Sequence, residues 1–332
     1  MTGRILLTGG AGYIGSHTYL ALVEAGFSPV ILDSFANAQD DVPDRLERIT
    51  GAPVSVIRGD LCDGTVLAQA FAAHAFDAVV HFAALKSVAE SVANPLQYFR
   101  VNIGGLIALL GAMEAAHCKT LVFSSSATVY GAPDDSPTQE TAPRRAENPY
   151  GRSKIACEEM LEMLGPDWAV GVLRYFNPAG AHRSGGIGEN PKGRLENLMP
   201  IMAEVARGAR AELQIYGDDY DTPDGTPIRD YIHVEDLARG HVLSLSHLLE
   251  TKMSHLVNLG TGTGHSVREM AEAYGRAAGR PLKTRITARR SGDVPIYCAD
   301  TARAEALLGF RTEKTLDEIC ASSWRWTMRN AP

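Results

Sequence analysis

The stretch LLTGGAGYIGS, residues 6–16, places three glycines in a GxGxxG pattern between an apolar run and the start of a helical pattern. These glycines are Gly10, Gly12 and Gly15, and Gly9 extends the pattern to GxxGxxG. Glycine permits a tight turn and lets the backbone approach a pyrophosphate, whose charge meets the N-terminus of the following helix. The stretch therefore predicts the first strand, turn and helix of a dinucleotide-binding domain.

An acidic residue follows at the distance that this motif requires. Asp33 ends the next apolar run, VILD, about 20 residues beyond the glycines. Its carboxylate would accept hydrogen bonds from the adenosine ribose and repel the 2′-phosphate of NADP, so the predicted cofactor is NAD. An aspartate at a strand end also serves as a turn or capping residue. Asp60, in IRGDL, has the same two interpretations, as a turn residue or as a contact to adenine.

The first half of the chain alternates β-rich runs with helical patterns. The runs are RILLTG, PVILD, VSVIRGD, DAVVHFAA, TLVFSSSATVY and WAVGVLRYFN, and helical patterns lie near 13–26, 64–74, 95–116 and 150–164. Strands separated by helices of this length are typical of a parallel sheet. We therefore predict an α/β protein whose residues 1–177 form a Rossmann-type doubly wound parallel sheet.

The amino-acid composition changes from about residue 178. NPAGAHRSGGIGENPKG and GDDYDTPDGTP are rich in Gly, Pro and Asp, with shorter elements between them. We expect a smaller α/β C-terminal domain that binds substrate in residues 178–332. The segment near 228–262, a strand followed by a helix, is expected to return to the first sheet.

Composition excludes several classes of protein. The net charge of −7 argues against a general nucleic-acid surface, which needs a basic face. We find no signal-peptide pattern and no uncharged apolar run of about 18 residues, and expect no membrane contact. The five cysteines are scattered without a CxxC pair, which indicates reduced thiols and a cytoplasmic protein. The ten histidines show no metal-binding spacing, so no metal site is expected.

A second motif carries chemistry. FSSSATVYG ends an apolar run in serines, and NPYGRSKI, residues 148–155, places Tyr150 and Lys154 four apart on one helical face. A nearby cation and a nicotinium charge should lower the pKa of a tyrosine, so that the phenolate acts as a base near neutral pH. In isolation such a pair is usually a solvated helix face. The dinucleotide motif upstream favours a catalytic pair instead.

Eight segments together resemble one known family. They are GGAGYIGSH, HFAALKSV, SSSATVYG, NPYGRSK, LRYFNPAGAH, NLMP, RDYIHVEDLA and NLGTGTGHSV. They are similar to the UDP-galactose 4-epimerases of the extended short-chain dehydrogenase/reductase superfamily, over a range from Gly9 to about Trp326. The first motifs are shared by many superfamily members, whereas the later segments narrow the match to 4-epimerases.

The resemblance implies a reaction and its residues. Tyr150 would be the base and acid, Ser126 would hydrogen-bond the sugar 4-hydroxyl, and Lys154 would bind the nicotinamide ribose and tune Tyr150. The C4 hydride would pass to tightly bound NAD and return to the other face of a 4-keto sugar that turns about its bond to the diphosphate. The implied cofactor-binding positions are Gly9, Gly10, Gly12, Tyr13, Ile14, Gly15, Asp33, Asp60, Leu61, Phe82, Ala83, Lys86, Asn102, Tyr150, Lys154 and Tyr175.

The resemblance also implies positions for the UDP-hexose substrate and a partner. The substrate positions include Ser126, Asn177, Asn197 and Leu198. Gln214 and Tyr216 would lie near the uracil, Arg229 and Arg290 on the diphosphate, and Asp293 on the ribose, and Tyr297 completes the set. A guanidinium suits phosphate because its fork donates two parallel hydrogen bonds, although a surface ion pair is the alternative for each arginine. A homodimer packed through the helices near 95–116 and 150–164 is also implied.

Tyr297 bears on the choice of sugar. It matches a position that is bulky in epimerases confined to UDP-glucose and UDP-galactose, and small in those that accept N-acetylated sugars. We therefore predict poor use of UDP-N-acetylglucosamine. A core tyrosine without a substrate role is the alternative interpretation.

Three other functions compete with the hexose epimerase. A nucleotide-sugar dehydratase needs an Asp-Glu pair where this chain has Ala127 and Thr128, so dehydration is disfavoured. A UDP-pentose 4-epimerase acting on xylose and arabinose would use the same reacting atoms. A non-catalytic NAD-binding regulator shares the fold, but such proteins typically lose the catalytic tyrosine.

Overall fold

The computed structural model describes residues 3–193, 195–290 and 292–330. The strands are β1 Arg4–Thr8, β2 Ser28–Asp33, β3 Ser55–Arg58, β4 Ala78–His81, β5 Thr120–Ser126, β6 Ala169–Tyr175, β7 Asn177–Ala179, β8 Leu213–Tyr216, β9 Ile228–Arg229, β10 Tyr231–His233, β11 His255–Leu259, β12 His265–Ser266, β13 Thr284–Thr287 and β14 Ile296–Tyr297. The α-helices are α1 Tyr13–Glu24, α2 Val42–Thr50, α3 Gly64–Ala73, α4 Val88–Ala93, α5 Pro95–Tyr98, α6 Gly105–Ala115, α7 Pro149–Glu162, α8 Leu198–Arg207, α9 Val234–Thr251, α10 Val267–Ala278, α11 Ala302–Leu308 and α12 Leu316–Asn330.

The main sheet has the strand order β11-β6-β5-β4-β1-β2-β3, and its strands pair in parallel. β1 pairs with both β2 and β4, so the chain winds outward in both directions from β1. In a sheet of this kind ligands bind in the crevice beyond the carboxyl ends of the strands where the order reverses. The fold therefore places a candidate site beside the turn that follows β1.

Helices cover both faces of this sheet, which explains why its strands are apolar runs rather than alternating ones. On one face Ile5 and Leu7 pack in a core with Leu20 of α1 and Leu245 of α9. On the other face Leu6 packs in a second core, together with residues of α3, α6 and α7. This is the doubly wound arrangement predicted from the sequence.

The later part of the chain has smaller sheets and its own core. β8 pairs with β13, and β9 lies between β12 and β14. A third core unites α8, α10 and α12 through Met202, Met270, Tyr274 and Ile319. Within the segment near 228–262, α9 and β11 lie with the main sheet, whereas β9 and β10 pair elsewhere.

The helix predicted near 95–116 has three parts. A π-helical turn, Phe99–Gly104, joins α5 to α6. By length and composition alone, the stretch Pro95–Ala115 is the one helix among the described residues that could cross a membrane, and 33% of its apolar window is buried. A helix that packs on the core of a soluble protein has the same character, and Leu106, Leu109 and Met113 of this helix are fully buried in the second core.

Candidate active site

The turn between β1 and α1 needs glycine for steric reasons. Gly9 has a φ of +71°, and a Cβ there would lie 2.7 Å from the backbone nitrogen of Ala83. A Cβ on Gly15 would lie 2.4 Å from the carbonyl oxygen of Gly9. Gly12 is the N-cap of α1 and supplies no side-chain cap, which leaves the N–H groups of the first turn available to an anion. The turn fits the pyrophosphate of a dinucleotide.

Asp33 ends β2 beside this turn and is buried. Its carboxylate accepts hydrogen bonds from the backbone N–H of Ala11 at 3.0 Å and of Phe35 at 2.8 Å. Burial raises the pKa of Asp33, and these two N–H donors act against that rise. Each carboxylate oxygen receives one of these two bonds, so each keeps a lone pair that suits the hydroxyls of a ribose.

A cavity of about 500 Å³ opens at the carboxyl ends of β1, β2, β4, β5 and β6. Seventeen of the predicted site residues line it: Gly9, Gly12, Tyr13, Ile14, Gly15, Asp33, Asp60, Leu61, Phe82, Ala83, Lys86, Ser126, Tyr150, Lys154, Tyr175, Asn177 and Asn197. The residues predicted from three separate motifs are thus brought to one cavity.

Two predicted cofactor-binding residues lie behind the wall of this cavity. A Cβ on Gly10 would lie 3.0 Å from side-chain atoms of Leu7 and Ile31. Asn102 is buried and donates to the carbonyl oxygen of Leu85 at 3.0 Å and to the hydroxyl of Ser153 at 2.9 Å. Its own oxygen accepts from the N–H of Leu85 at 2.8 Å, so Asn102 ties the loop after β4 to α7.

The start of α7 places Tyr150 and Lys154. Asn148 is the N-cap and accepts a hydrogen bond from the N–H of Gly151 at 2.8 Å, and Pro149 occupies the first position, where its missing N–H costs nothing. One turn later the Lys154 ammonium donates to the carbonyl oxygen of Ser124 at 2.7 Å. Both side chains line the cavity together with Ser126, the last residue of β5.

The electrostatics of this cluster differ from the sequence-based expectation. Burial raises the pKa of Tyr150, while a hydrogen bond with Ser126 lowers it. Burial also lowers the pKa of Lys154 to about 8. Without the cofactor, desolvation of the phenol is thus the largest effect on the Tyr150 pKa. The lowering of this pKa by Lys154 together with a nicotinium charge stays a prediction for the NAD-bound enzyme.

Tyr175 ends β6 on the same wall. Its hydroxyl lies 2.9 Å from Nε2 of His241 on α9, and both side chains are buried. Burial raises the pKa of Tyr175 well above its ordinary value, so this phenol stays protonated. Tyr150 differs from Tyr175 because its hydrogen-bond partner is Ser126 and because Lys154 lies one helical turn away.

The remaining predicted substrate residues do not line this cavity, and five of them form two groups outside it. In the first, the hydroxyl of Tyr216 donates to Gln214 at 3.1 Å, and the Arg290 guanidinium lies 3.9 Å from the centre of the Tyr216 ring. In the second, Arg229 forms an ion pair with Asp293. Leu198, which begins α8, packs against the third core.

Tyr297 lies between the second group and the serines of β5. It is the register partner of Arg229 in the pairing of β14 with β9. Its hydroxyl donates to the carbonyl oxygen of Ala127, and its ring centre is 5.2 Å from that of Phe176. Tyr297 is thus held by contacts to Ala127, directly after Ser126, and to Phe176, which lines the cavity.

Comparison with known proteins identifies the family. Residues 5–260 match the profile of the NAD dependent epimerase/dehydratase family. The chain belongs to this family. Within it, the chain is 48% identical over 330 residues to the UDP-glucose 4-epimerase of Yersinia pestis, with 98% of each protein covered. It is also 48% identical over 340 residues to the human UDP-glucose 4-epimerase, with 99% of this chain and 98% of that protein covered.

Solved structures of the family agree. The UDP-glucose 4-epimerase of Stenotrophomonas maltophila, crystallised with NAD and formylated UDP-arabinopyranose, has a TM-score of 0.96 at 48% identity over 98% of both chains. That of Bifidobacterium longum, in complex with NAD⁺ and UDP, has a TM-score of 0.94 at 45% identity over 98% of both chains. The predicted fold class, the resemblance to 4-epimerases and NAD as the cofactor of the enzyme are confirmed.

Sequence reasoning missed several residues that line the cavity, among them Thr128 and Glu189. Thr128 lines the cavity, and its hydroxyl accepts a hydrogen bond from Ser126 at 3.0 Å. Its place two residues after the serine, at the start of a 3₁₀ turn at Ala127–Tyr130, is the signal that would have found it. Glu189 also lines the cavity, but it lies in a Gly-rich loop without any motif.

Proposed function

We propose that this enzyme interconverts UDP-galactose and UDP-glucose by oxidation at C4 and return of the hydride to the opposite face. One observation carries the proposal: Ser126, Tyr150 and Lys154 line the same cavity as the glycine turn and Asp33. The activity of the relatives supports it, since both the bacterial and the human protein are UDP-glucose 4-epimerases.

Each residue of the cluster has a distinct task. Bound NAD supplies a hydride acceptor and a positive ring. The Tyr150 phenolate takes the proton of the sugar 4-hydroxyl, and Ser126 holds that hydroxyl by a hydrogen bond. Lys154 places its ammonium in the same cavity, where a cation favours the phenolate that burial alone disfavours. On return of the hydride, Tyr150 gives the proton back.

The C-terminal part holds the nucleotide. We assign residues 1–177, with α9 and β11, to NAD and residues 178–332 to the nucleotide sugar. Among the described residues, Asp293 and the carbonyl oxygen of Ile228 engage two of the five donors of Arg229, which leaves three for the diphosphate. Anchoring on the diphosphate leaves the hexose free to turn, because remote binding energy holds the molecule while the reacting ring stays loose.

The deciding experiment uses the purified protein with UDP-galactose and no added NAD, and assays for UDP-glucose. Conversion is expected, because the cofactor stays bound through turnover. Tyr150→Phe should abolish turnover while the bound dinucleotide remains visible by absorbance. Absence of conversion by the wild-type protein, even after NAD is supplied, would refute the epimerase.

A UDP-pentose is the second candidate substrate. The Stenotrophomonas maltophila structure holds a formylated UDP-arabinopyranose, which shows that a pentose nucleotide binds to a protein with 48% identity. The ratio of kcat/KM for UDP-galactose to that for UDP-arabinopyranose decides between them. A ratio above one supports the hexose as the preferred substrate.

We also propose that the enzyme is a cytoplasmic homodimer. The helices near 95–116 and 150–164 expose large apolar side chains: Leu96 is 81% exposed, Ile107 is 55% exposed and Met163 is 85% exposed. A second copy of the chain would cover them. The five cysteines are free thiols, which suits a reducing compartment.

A further inference from the structure

Glu189 occupies the cavity wall where the proposed cofactor and substrate parts meet. It lies in the loop between β7 and α8, and its side chain is only 8% exposed. Its Oε1 accepts a hydrogen bond from the amide of Asn197 and lies 3.5 Å from the Lys86 ammonium. Asn197 precedes α8, whereas Lys86 follows β4. One carboxylate oxygen therefore connects a residue of each part.

The other oxygen of this carboxylate is unsatisfied. Oε2 of Glu189 is buried and makes no hydrogen bond with any described residue. A buried charged oxygen without a donor costs free energy, because it has lost water and gained nothing in return. Since Glu189 lines the cavity, a bound ligand is the group that can supply the missing donor.

The charge of the Glu189 carboxylate limits which ligand groups can act as that donor. The Glu189 carboxylate forms only a loose ion pair with Lys86, since the lysine side chain is 54% exposed. A phosphate would be repelled. The Tyr13 phenol is not that donor, because it donates its hydroxyl to the carbonyl oxygen of Gly180 at 2.7 Å. A ligand hydroxyl fits the remaining need.

We propose that Glu189 is a ligand-binding residue that accepts a hydrogen bond from a hydroxyl of the bound nucleotide sugar or of the NAD ribose. Through Oε1 it also holds Asn197 and Lys86 around that hydroxyl. The inference rests on the proposed function, because it takes a nucleotide sugar and NAD as the occupants of the cavity.

The first test compares Glu189→Gln with a matched control, Glu196→Gln, in the NAD-loaded enzyme. Glu196 lies seven residues later, is exposed and accepts a hydrogen bond from Ser87 at 2.9 Å. A hydrogen bond to a charged group is worth roughly tenfold to a hundredfold, so kcat/KM or NAD retention should fall by that factor in E189Q only. Glu189→Ala should reproduce the loss. The melting temperatures of E189Q and E196Q should agree.

A second measurement separates the two sources of the hydroxyl. Wild type and E189Q are assayed with UDP-galactose analogues that lack the 2-, 3- or 6-hydroxyl. If the sugar donates, one analogue lowers kcat/KM of the wild type but not of E189Q. If the cofactor ribose donates, no analogue does so, and E189Q retains less NAD.

Two outcomes overturn the inference. One is equal kcat/KM and equal NAD content in E189Q and E196Q. The other is a lower kcat/KM in E189Q that accompanies a lowered melting temperature. In that case NAD retention is unchanged, and each deoxy analogue lowers kcat/KM equally in wild type and E189Q. A wild type that fails to convert UDP-galactose refutes the proposed function instead. In that case, calorimetric titration of E189Q and E196Q with UDP-galactose and NAD measures their affinities and tests whether Glu189 binds either ligand.

Discussion

Lys154 is a buried cation whose charge is needed beside a phenol that burial keeps protonated. Burial lowers its pKa to about 8, against 10.5 for an ordinary lysine. Below pH 8 the ammonium is therefore present, and it is lost as the pH rises through about 8. We expect kcat to fall above this pH, because Tyr150 loses the cation that favours its ionised form.

The pH profile of kcat for wild type and Lys154→Arg checks this expectation. A guanidinium stays charged at these pH values, so the alkaline fall should move upward or vanish in the variant, whatever its absolute rate. An identical fall in both proteins would assign it to another group.

Tyr297 yields a prediction about the sugar. Its ring packs against Phe176 and its hydroxyl is tied to Ala127, directly after Ser126. Tyr297→Cys should create the space that an acetamido group needs and raise kcat/KM for UDP-N-acetylglucosamine. Tyr297→Phe keeps the ring and is the control, so its activity on this substrate should stay low. Equal activity of both variants on this substrate would show that Tyr297 is only a core residue.

Residues whose role is local could be predicted from the sequence, and those whose role is tertiary could not. The glycine turn, Asp33 and the Tyr150/Lys154 pair each follow from spacing along one strand or helix. The direction of the Tyr150 pKa could not be predicted, because it depends on burial by distant segments. Glu189 could not be predicted for the same reason. Lys86, one of its partners, lies 103 positions away in the sequence, and the loop around Glu189 contains no recognisable motif.

Helix α7 is fixed to the sheet by a buried ion pair. Glu158 on α7 accepts two hydrogen bonds from Arg174 on β6, at 2.9 and 2.5 Å, and the two side chains are 0% and 3% exposed. Ser125, on the neighbouring strand β5, donates to the same carboxylate at 2.5 Å. The pair thus holds the helix that carries Tyr150 against β6, and Ser125 ties the same helix to β5, the strand that ends in Ser126.

Glu158→Gln should destabilise the protein by about 3–5 kcal/mol, because it leaves the Arg174 charge buried and unpaired. The neighbouring Glu159 is 56% exposed, and its ion pair with Arg144 is long, at 3.8 Å. Glu159→Gln should therefore cost roughly 0–1 kcal/mol of stability. Urea unfolding of the two variants measures the difference. Similar midpoints would mean that Glu158 can be neutralised without loss.

At the scale of elements, the strands and helices around the main sheet were predictable, but their interruptions were not. β5 ends at Ser126 because this side chain accepts a hydrogen bond from the N–H of Thr128 and starts a 3₁₀ turn. The π-helical turn at Phe99–Gly104 lies inside an apolar pattern that reads as one helix. The first interruption depends on a side-chain hydrogen bond, and neither interruption leaves a signal in the hydrophobic periodicity.

Across the whole molecule, the parallel sheet could be predicted because strand and helix alternate regularly along the chain. The smaller sheets could not, since two-residue strands such as β9, β12 and β14 carry no periodic signal. They pair across 36 to 68 positions, for example His265 with Arg229 and Ile296 with Ile228. The position of the site followed from the first sheet alone, where the order reverses at β1.

The exposed apolar side chains of α5, α6 and α7 lead to the prediction about assembly. Ile107 is 55% exposed on α6, a helix whose opposite face is buried in the second core, so a partner helix is the expected cover for it. A charge placed in such an interface loses hydration without gaining a partner. Ile107→Arg should therefore weaken the homodimer by about 2 kcal/mol or more, roughly 30-fold in its dissociation constant.

Sedimentation at micromolar concentration measures this change, with Ile286→Arg as the control, because Ile286 is 38% exposed on β13, away from these helices. Wild type and I286R should sediment as dimers and I107R as a mixture with monomer. A monomeric wild type would refute the dimer, whereas a dimeric I107R as tight as I286R would place the interface on another surface. Since Ile107 does not line the cavity, I107R should retain the bound NAD in either form.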